Sequence, residues 1–352
     1  MNTRMILFIV VANLIVVGIR FDTPNTQISE SSGTNVGGII SENTTWSLAN
    51  SPYIFIDHVT VASGAILTID PGVAVDLVFW TLTVEGTLSA KGNESNRIRF
   101  ESSEDPLFGY PRIFFKEGSN GIIEFSEFYV IQPPQGLIVG GSPRISNNVI
   151  NLSMRDGPAI SIDHGIVSNN TIIGGYMAII ANNADILQNT IIGTQWGIVT
   201  GNMAGYGIYS PNIVGNLVMN TTVGINVFDS PIISNNSIVN SAKGILFPSY
   251  SFYNGSLPTI VYNNFNNNVF NVVVEKQDPR ITINMTYNWW GTTNFTIIAQ
   301  KIYDQNEDNR LCLVNYDPIL PSQAIPEFPS LLILPLLMLA TIVAVIVYRD
   351  LG

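Results

Sequence analysis

Residues 166–173 read IVSNNTII, residues 186–192 ILQNTII and residues 232–239 IISNNSIV. Each phrase is an apolar start, a small polar middle with asparagine, and an apolar finish. Working outward, the phrase begins at Ile145, Ile166, Ile186, Ile213, Ile232, Ile260 and Ile281, at spacings of 21, 20, 27, 19, 28 and 21 residues. An asparagine stands three residues after each of those isoleucines: Asn148, Asn169, Asn189, Asn216, Asn235, Asn263 and Asn284. Between the copies lies a second phrase, a small residue before apolar ones, as at Ala159-Ile160, Ala178-Ile179, Gly197-Ile198, Gly224-Ile225 and Gly244-Ile245. Each period thus holds two or three short β-branched strands separated by Asn and Gly turns, with no ten-residue helical pattern between them.

Some twenty residues of short strand cannot bury an apolar face alone, but stacked copies can. The pattern therefore predicts an all-β parallel β-helix, one coil per period, with the isoleucines stacked inside. Its hand is expected to be right, as parallel β-crossovers overwhelmingly are. The seven fixed asparagines are expected to form an inward ladder from coil to coil at the strand spacing of about 4.8 Å. The longer periods place loops near Gly201–Gly207 and Ser249–Leu257. Alternation from Tyr53 to Gly86 extends the stack toward the N-terminus, which gives about eleven coils over residues 45–300.

The ends read differently. Residues 1–20 carry Arg4 and an apolar run from Met5 to Ile19, the form of a signal peptide. Residues 21–44 read as a polar linker and residues 301–329 as a C-terminal extension. Residues 330–348, SLLILPLLMLATIVAVIVY, carry no charge and are long enough for a transmembrane helix, leaving 349–352 as a cytoplasmic tail. This organisation predicts a membrane-anchored surface protein with the solenoid outside the cell.

Composition narrows the function. The chain has 352 residues, a net charge of −11 and only 12% charged residues. Nucleic acid is excluded as a partner, because phosphate binding needs clustered Lys and Arg. Nine Asn-x-Ser/Thr sequons occur, at Asn43, Asn93, Asn151, Asn169, Asn220, Asn235, Asn254, Asn284 and Asn294. An inward ladder forbids sugar on Asn169, Asn235 and Asn284, so glycosylation is expected at Asn43, Asn93, Asn220, Asn254 and Asn294.

No catalytic constellation stands out. Arg155, Asp156, Asp163 and His164 fall at coil corners in good turn sequences, without a second acidic pair on the next coil. Residues 304–308 alternate oxygen ligands like a calcium loop, but Asn309 and Asn315 replace the expected Gly and Glu. Glu101, Glu104 and Asp105 read as a solvated loop. Cys312, the single cysteine, reads as a buried apolar residue, and His58 and His164 are too few for a histidine metal site. No cofactor or metal is expected. Trp196, Tyr250 and Tyr253 are the candidate ligand-binding aromatics, able to stack on sugar rings. Asn288-Trp289-Trp290-Gly291 is expected to close the stack.

The I-x-N-N-x-I coils ending in Asn-Trp-Trp-Gly resemble the right-handed parallel β-helix superfamily, which includes pectate lyases, sugar-hydrolase coils and NosD-like periplasmic proteins. The segment from Asn43 is similar to the opening of archaeal surface β-helix proteins. Pro326-Glu327-Phe328, just before the apolar stretch, resembles an archaeal sorting element read by an archaeosortase-type processing enzyme. The resemblance implies a fold more firmly than an activity. The expected function is a non-enzymatic structural or adhesive surface protein that binds cell-surface or extracellular polysaccharide. The alternatives are a polysaccharide lyase or glycoside hydrolase, and a NosD-like accessory protein.

Overall fold

The computed structural model describes residues 33–102, 111–130, 136–152, 157–201, 209–251 and 256–324. Residues 1–20, the Pro326-Glu327-Phe328 element, residues 330–348 and the tail 349–352 lie outside them. Among the described residues no helix is long and apolar enough to cross a membrane.

The period-2 segments form short strands, each paired in parallel with the strand one coil earlier and one coil later. One coil visits three faces in turn. Arg144–Ser146, Val149–Leu152 and Pro158–Ile162 lie on the first, second and third face, and Ile166–Ser168, Thr171–Gly174 and Met177–Ala181 sit beside them one coil on. Among the described residues ten strands pair along the first face, one for each coil of the stack there.

Because alternate side chains point to opposite sides of a strand, every face sends one continuous column inward. On the first face it runs Ile145, Val167, Ile186, Ile213, Ile233 and Ile260, all fully buried. The second face contributes Phe128, Ile150, Ile172, Ile191, Val218, Ile238 and Phe265. The third contributes Ile160, Ile179, Ile198, Ile225, Ile245 and Val272. Each such side chain contributes about 1.5–3 kcal/mol of hydrophobic stabilisation.

Three glycines of the second sequence phrase have a steric cause, while Ala159 and Ala178 hold the same place on earlier coils. A Cβ on Gly197, Gly224 or Gly244 would lie 2.4, 2.5 or 2.6 Å from the carbonyl oxygen of the neighbouring coil. Only a residue without a side chain lets those coils approach to pairing distance.

The corner between the first and second faces is built by two adjacent residues. The first adopts a left-handed backbone: Asn147, Asn169, Gln188, Gly215, Asn235, Tyr262 and Tyr287 all have φ between 55° and 71°. The second turns inward and forms the ladder, which consists of Asn148, Asn170, Asn189, Asn216, Asn236, Asn263 and Asn288. Each Nδ2 donates to the Oδ1 of the next rung at 2.9–3.0 Å. It also donates back to a carbonyl of the preceding coil, as Asn216 does to Ile186 and Asn236 to Ile213, both at 2.8 Å. Each backbone N–H donates to the same Oδ1 of the next rung. Corner groups that the strand ladders cannot reach are thereby satisfied.

This corrects the expected ladder at three positions. Asn169, Asn235 and Asn284 are exposed; the next residues Asn170 and Asn236, and Asn288 four residues after Asn284, take the buried place. The cause is phase. In Ile166-Val167 and Ile232-Ile233 the second apolar residue points inward, and the asparagine three residues after it is the rung. Rung spacings are therefore 22, 19, 27, 20, 27 and 25 residues.

The ends of the stack also differ from expectation. Thr34–Ile40, inside the segment read as a linker, pairs with Tyr53–Val61 and packs Val36 and Ile40 against the core, with Gly38 at φ +83° where the register shifts. Trp46 and Tyr53 stack beside this first coil at 4.8 Å. At the other end Trp290 stacks on Phe265 at 4.8 Å and meets Tyr316 edge-on. Residues 301–315 belong to the closing structure, because Ile302–Tyr303 pairs with Phe270–Val274 and Leu313–Asn315 with Thr282–Asn284.

Candidate functional site: a groove along the second corner

The corner between the second and third faces repeats the same device with different residues. Gly193, Asn220, Asn240 and Asn267 have left-handed φ of 69°, 57°, 53° and 55°. The residue after each turns inward: Thr194, Thr221, Ser241 and Asn268 are at most 4% exposed. Thr221 Oγ1 and Ser241 Oγ lie 2.8 Å apart, and the Ser241 N–H donates to Asn268 Oδ1 at 2.9 Å. These small polar residues leave the corner recessed. The result is an open groove of about 540 Å³ lined by Gly193–Gln195, Asn220–Thr222, Asn240–Ala242, Asn267 and Val269.

Four coils contribute, so the groove runs along the stack for about 14 Å at the strand spacing. Its lining mixes hydroxyls, amides and backbone with the apolar Ala242 and Val269 and holds no titratable side chain. Thr194 borders it, with its hydroxyl turned inward, buried and without a hydrogen-bond partner. One flank is the third-face column Trp196, Val223, Lys243 and Phe270, which pair in register. The Lys243 ammonium is held by Glu275 at 3.1 Å.

Trp196 is half-buried and packs with Met177, Val199 and Phe228, and Tyr250 lies against Phe228 at 5.0 Å while half exposed. The structure thus brings Trp196 and Tyr250 to one outward patch on the third face, through Phe228, which sequence reasoning did not single out. Tyr253 and Asn254 lie outside the described residues. Asn226 belongs to the same face, in register with Val199 and Leu246, fully buried with neither amide atom paired. Asp229 is buried close to Gly201, and that burial raises its carboxyl above the usual value.

The remaining acidic candidates separate. Asp163 and His164 are exposed at the third corner, where Asp163 accepts from Asn182 at 2.7 Å, and Arg155 and Asp156 lie outside the described residues. Asp304 is buried and organises its own loop, accepting from Asn306 at 2.9 Å and from the Val314 N–H at 2.7 Å. The alternating oxygens there are structural. Among the described residues no group of three or more His, Cys, Asp or Glu side chains is placed to hold a metal ion. Cys312 is buried, and burial pushes its thiol up.

One carboxylate pair was missed. Asp76 and Glu101 are register partners on adjacent strands of the second face, far apart in sequence. Burial raises the Glu101 carboxyl, with Arg99 opposing and Asp76 adding to the rise. Among the sequon asparagines expected to carry sugar, Asn43 accepts from the Ile66 N–H, Asn93 caps its own turn, Asn294 caps the helix Phe295–Ala299, and Asn220 lines the groove. No protein family, characterised protein or solved structure matches the chain.

Proposed function

We propose that the chain is a membrane-anchored extracytoplasmic solenoid that binds a neutral, extended polysaccharide along its second-corner groove, without catalysis. The observation that carries this reading is the groove itself, lined by hydroxyls and amides over four coils beside the apolar Ala242 and Val269, and free of titratable groups. A flexible anionic polymer finds no cation in the lining, whereas sugar hydroxyls find donors and acceptors at every coil. The aromatic flank at Trp196 supplies the stacking surface such ligands favour. The apolar stretch 330–348 supplies the anchor, and the Pro326-Glu327-Phe328 element is the point at which an archaeosortase-type enzyme would act. The stacked parallel coils fit the wider right-handed parallel β-helix superfamily.

The test is a glycan panel read by calorimetry with the detergent-solubilised full chain. Neutral linear glycans are expected to bind and polyuronides not to. Thr222→Trp, which fills the groove from an exposed position, is expected to abolish binding without unfolding. Unchanged binding in that variant rejects the groove. Protease added to intact cells is expected to cut within residues 45–320, and full protection rejects the orientation.

A second reading, glycoside hydrolysis, is favoured by the Asp76–Glu101 pair alone. A raised carboxyl beside a second carboxyl on the adjacent strand is the kind of pairing that such chemistry uses. Release of reducing ends from any glycan in the panel, lost in Glu101→Gln, would support it over the binding reading.

A further inference from the structure

The correction of the ladder frees two asparagines. Asn169 and Asn235 occupy the left-handed position of the first corner, at φ of 55° and 56°, and both are exposed. Neither side chain makes a hydrogen bond, in contrast to Asn43, Asn93, Asn284 and Asn294, whose Oδ1 atoms accept from groups of the fold. Each is followed by its rung, Asn170 or Asn236, and then by Thr171 or Ser237 at the start of the next strand. These hydroxyls are half-buried on the outer side of the second face, and Ser237 accepts from Asn264 at 3.3 Å. Each corner therefore displays a complete Asn-Asn-Thr or Asn-Asn-Ser sequon in which only the middle residue is buried.

We infer that Asn169 and Asn235 are N-glycosylation sites, a statement that rests on the solenoid lying outside the cytoplasm. The first corner holds the free Nδ2 atoms clear of the fold, as the reaction requires. That nitrogen forms a bond to the anomeric carbon of a lipid-linked glycosyl phosphate. The carbon's bond to the phosphate oxygen breaks, and the amide proton leaves with the departing phosphate. The two sites stand three coils apart, about 14 Å along one edge at the strand spacing. Asn220 is also exposed and unbonded, but it lines the groove, where a sugar would exclude the ligand.

Glycopeptide mass spectrometry of the full chain, extracted from its native membranes, tests the inference. Sugar is expected on Asn169 and Asn235 and is expected to be absent from Asn294, the helix cap. Thr171→Ala and Ser237→Ala should each remove one glycan mass, with the β circular dichroism spectrum unchanged. Sugar confined to Asn43, Asn93 or Asn294 overturns the inference. A chain without any sugar overturns it as well. External protease cleavage of that unmodified chain would then leave the extracytoplasmic reading standing, and protection would remove both.

Discussion

Adjacent asparagines in one coil give the sharpest test of the ladder. Asn236 is fully buried, donating to Ile213 O at 2.8 Å, Ser234 O at 3.0 Å and Asn263 Oδ1 at 2.9 Å, and accepting twice from Asn216 at 2.9 Å. Asn236→Asp keeps the acceptor and deletes the donor. Ile213 O loses its rung, and a carboxylate oxygen now faces Asn263 Oδ1, which keeps only the Asn236 backbone N–H at 3.0 Å. A buried polar group deprived of its partner costs about 1–3 kcal/mol, so two such losses give about 2–4 kcal/mol after allowing for the retained bond. At about 2 °C per kcal/mol for a chain of this size, the melting temperature should fall by about 4–8 °C. Mild acid should recover part of it, because a protonated carboxyl regains one donor. Asn235→Asp changes an exposed, unbonded side chain whose left-handed backbone Asp also tolerates, and should stay within about 0.5 kcal/mol. Thermal melts followed by circular dichroism at neutral and mildly acidic pH decide the matter. Equal shifts, or a larger one for Asn235→Asp, would refute the assignment of the rung to Asn236.

Gly224→Ala should destabilise by about 1–3 kcal/mol, since the new Cβ meets the Gly244 carbonyl at 2.5 Å; urea unfolding measures this. Trp290→Ala should cost about 3–5 kcal/mol by emptying the site against Phe265, with hydrogen exchange rising first in the last coils. Burial raises the Asp229 carboxyl, so the folded chain holds that proton more tightly than the unfolded one and stability should rise as pH falls from neutrality through the folded value. Asp229→Asn should flatten that rise in melting temperature. At the acid end stability should fall again as Asp308, held at about 2 by its hydrogen bond to Arg310, is protonated.

The period of the stack was legible because the core is repetitive: inward apolar residues that recur on each face of every coil leave a mark in the sequence. Its phase was less legible. Ile166-Val167 and Ile232-Ile233 each offer two apolar residues, and composition cannot say which faces inward, so two rungs were misplaced by one residue. The shift from Asn284 to Asn288 has a different origin, the closing turn through Met285 and Thr286, whose carbonyls accept from the Asn288 amide. Thr34–Ile40 reads as linker because its glycines and polar residues hide only two core contacts, Val36 and Ile40. The groove was invisible for a reason of another kind. Its lining comes from turn residues of four coils, none unusual in its own turn, and only stacking places them in one row. The Asp76–Glu101 pair was missed likewise, because register, not sequence proximity, makes them neighbours.

The amide column also has a direction. A rung uses its backbone N–H and one side-chain N–H on the oxygen of the rung that follows it in the chain, so every coil waits on its successor. Asn288 alone waits on nothing, because its amide turns back to Ile260, Met285 and Thr286. A growing stack that ends at any earlier rung exposes two donors without acceptors, whereas one that lacks its first coils leaves one amide N–H without the carbonyl behind it and one side-chain oxygen bare. The molecule is therefore a one-way zip whose stop lies at the C-terminal end. Shortening it from the back should leave the ladder with two unpaired donors per lost successor, against one when it is shortened from the front.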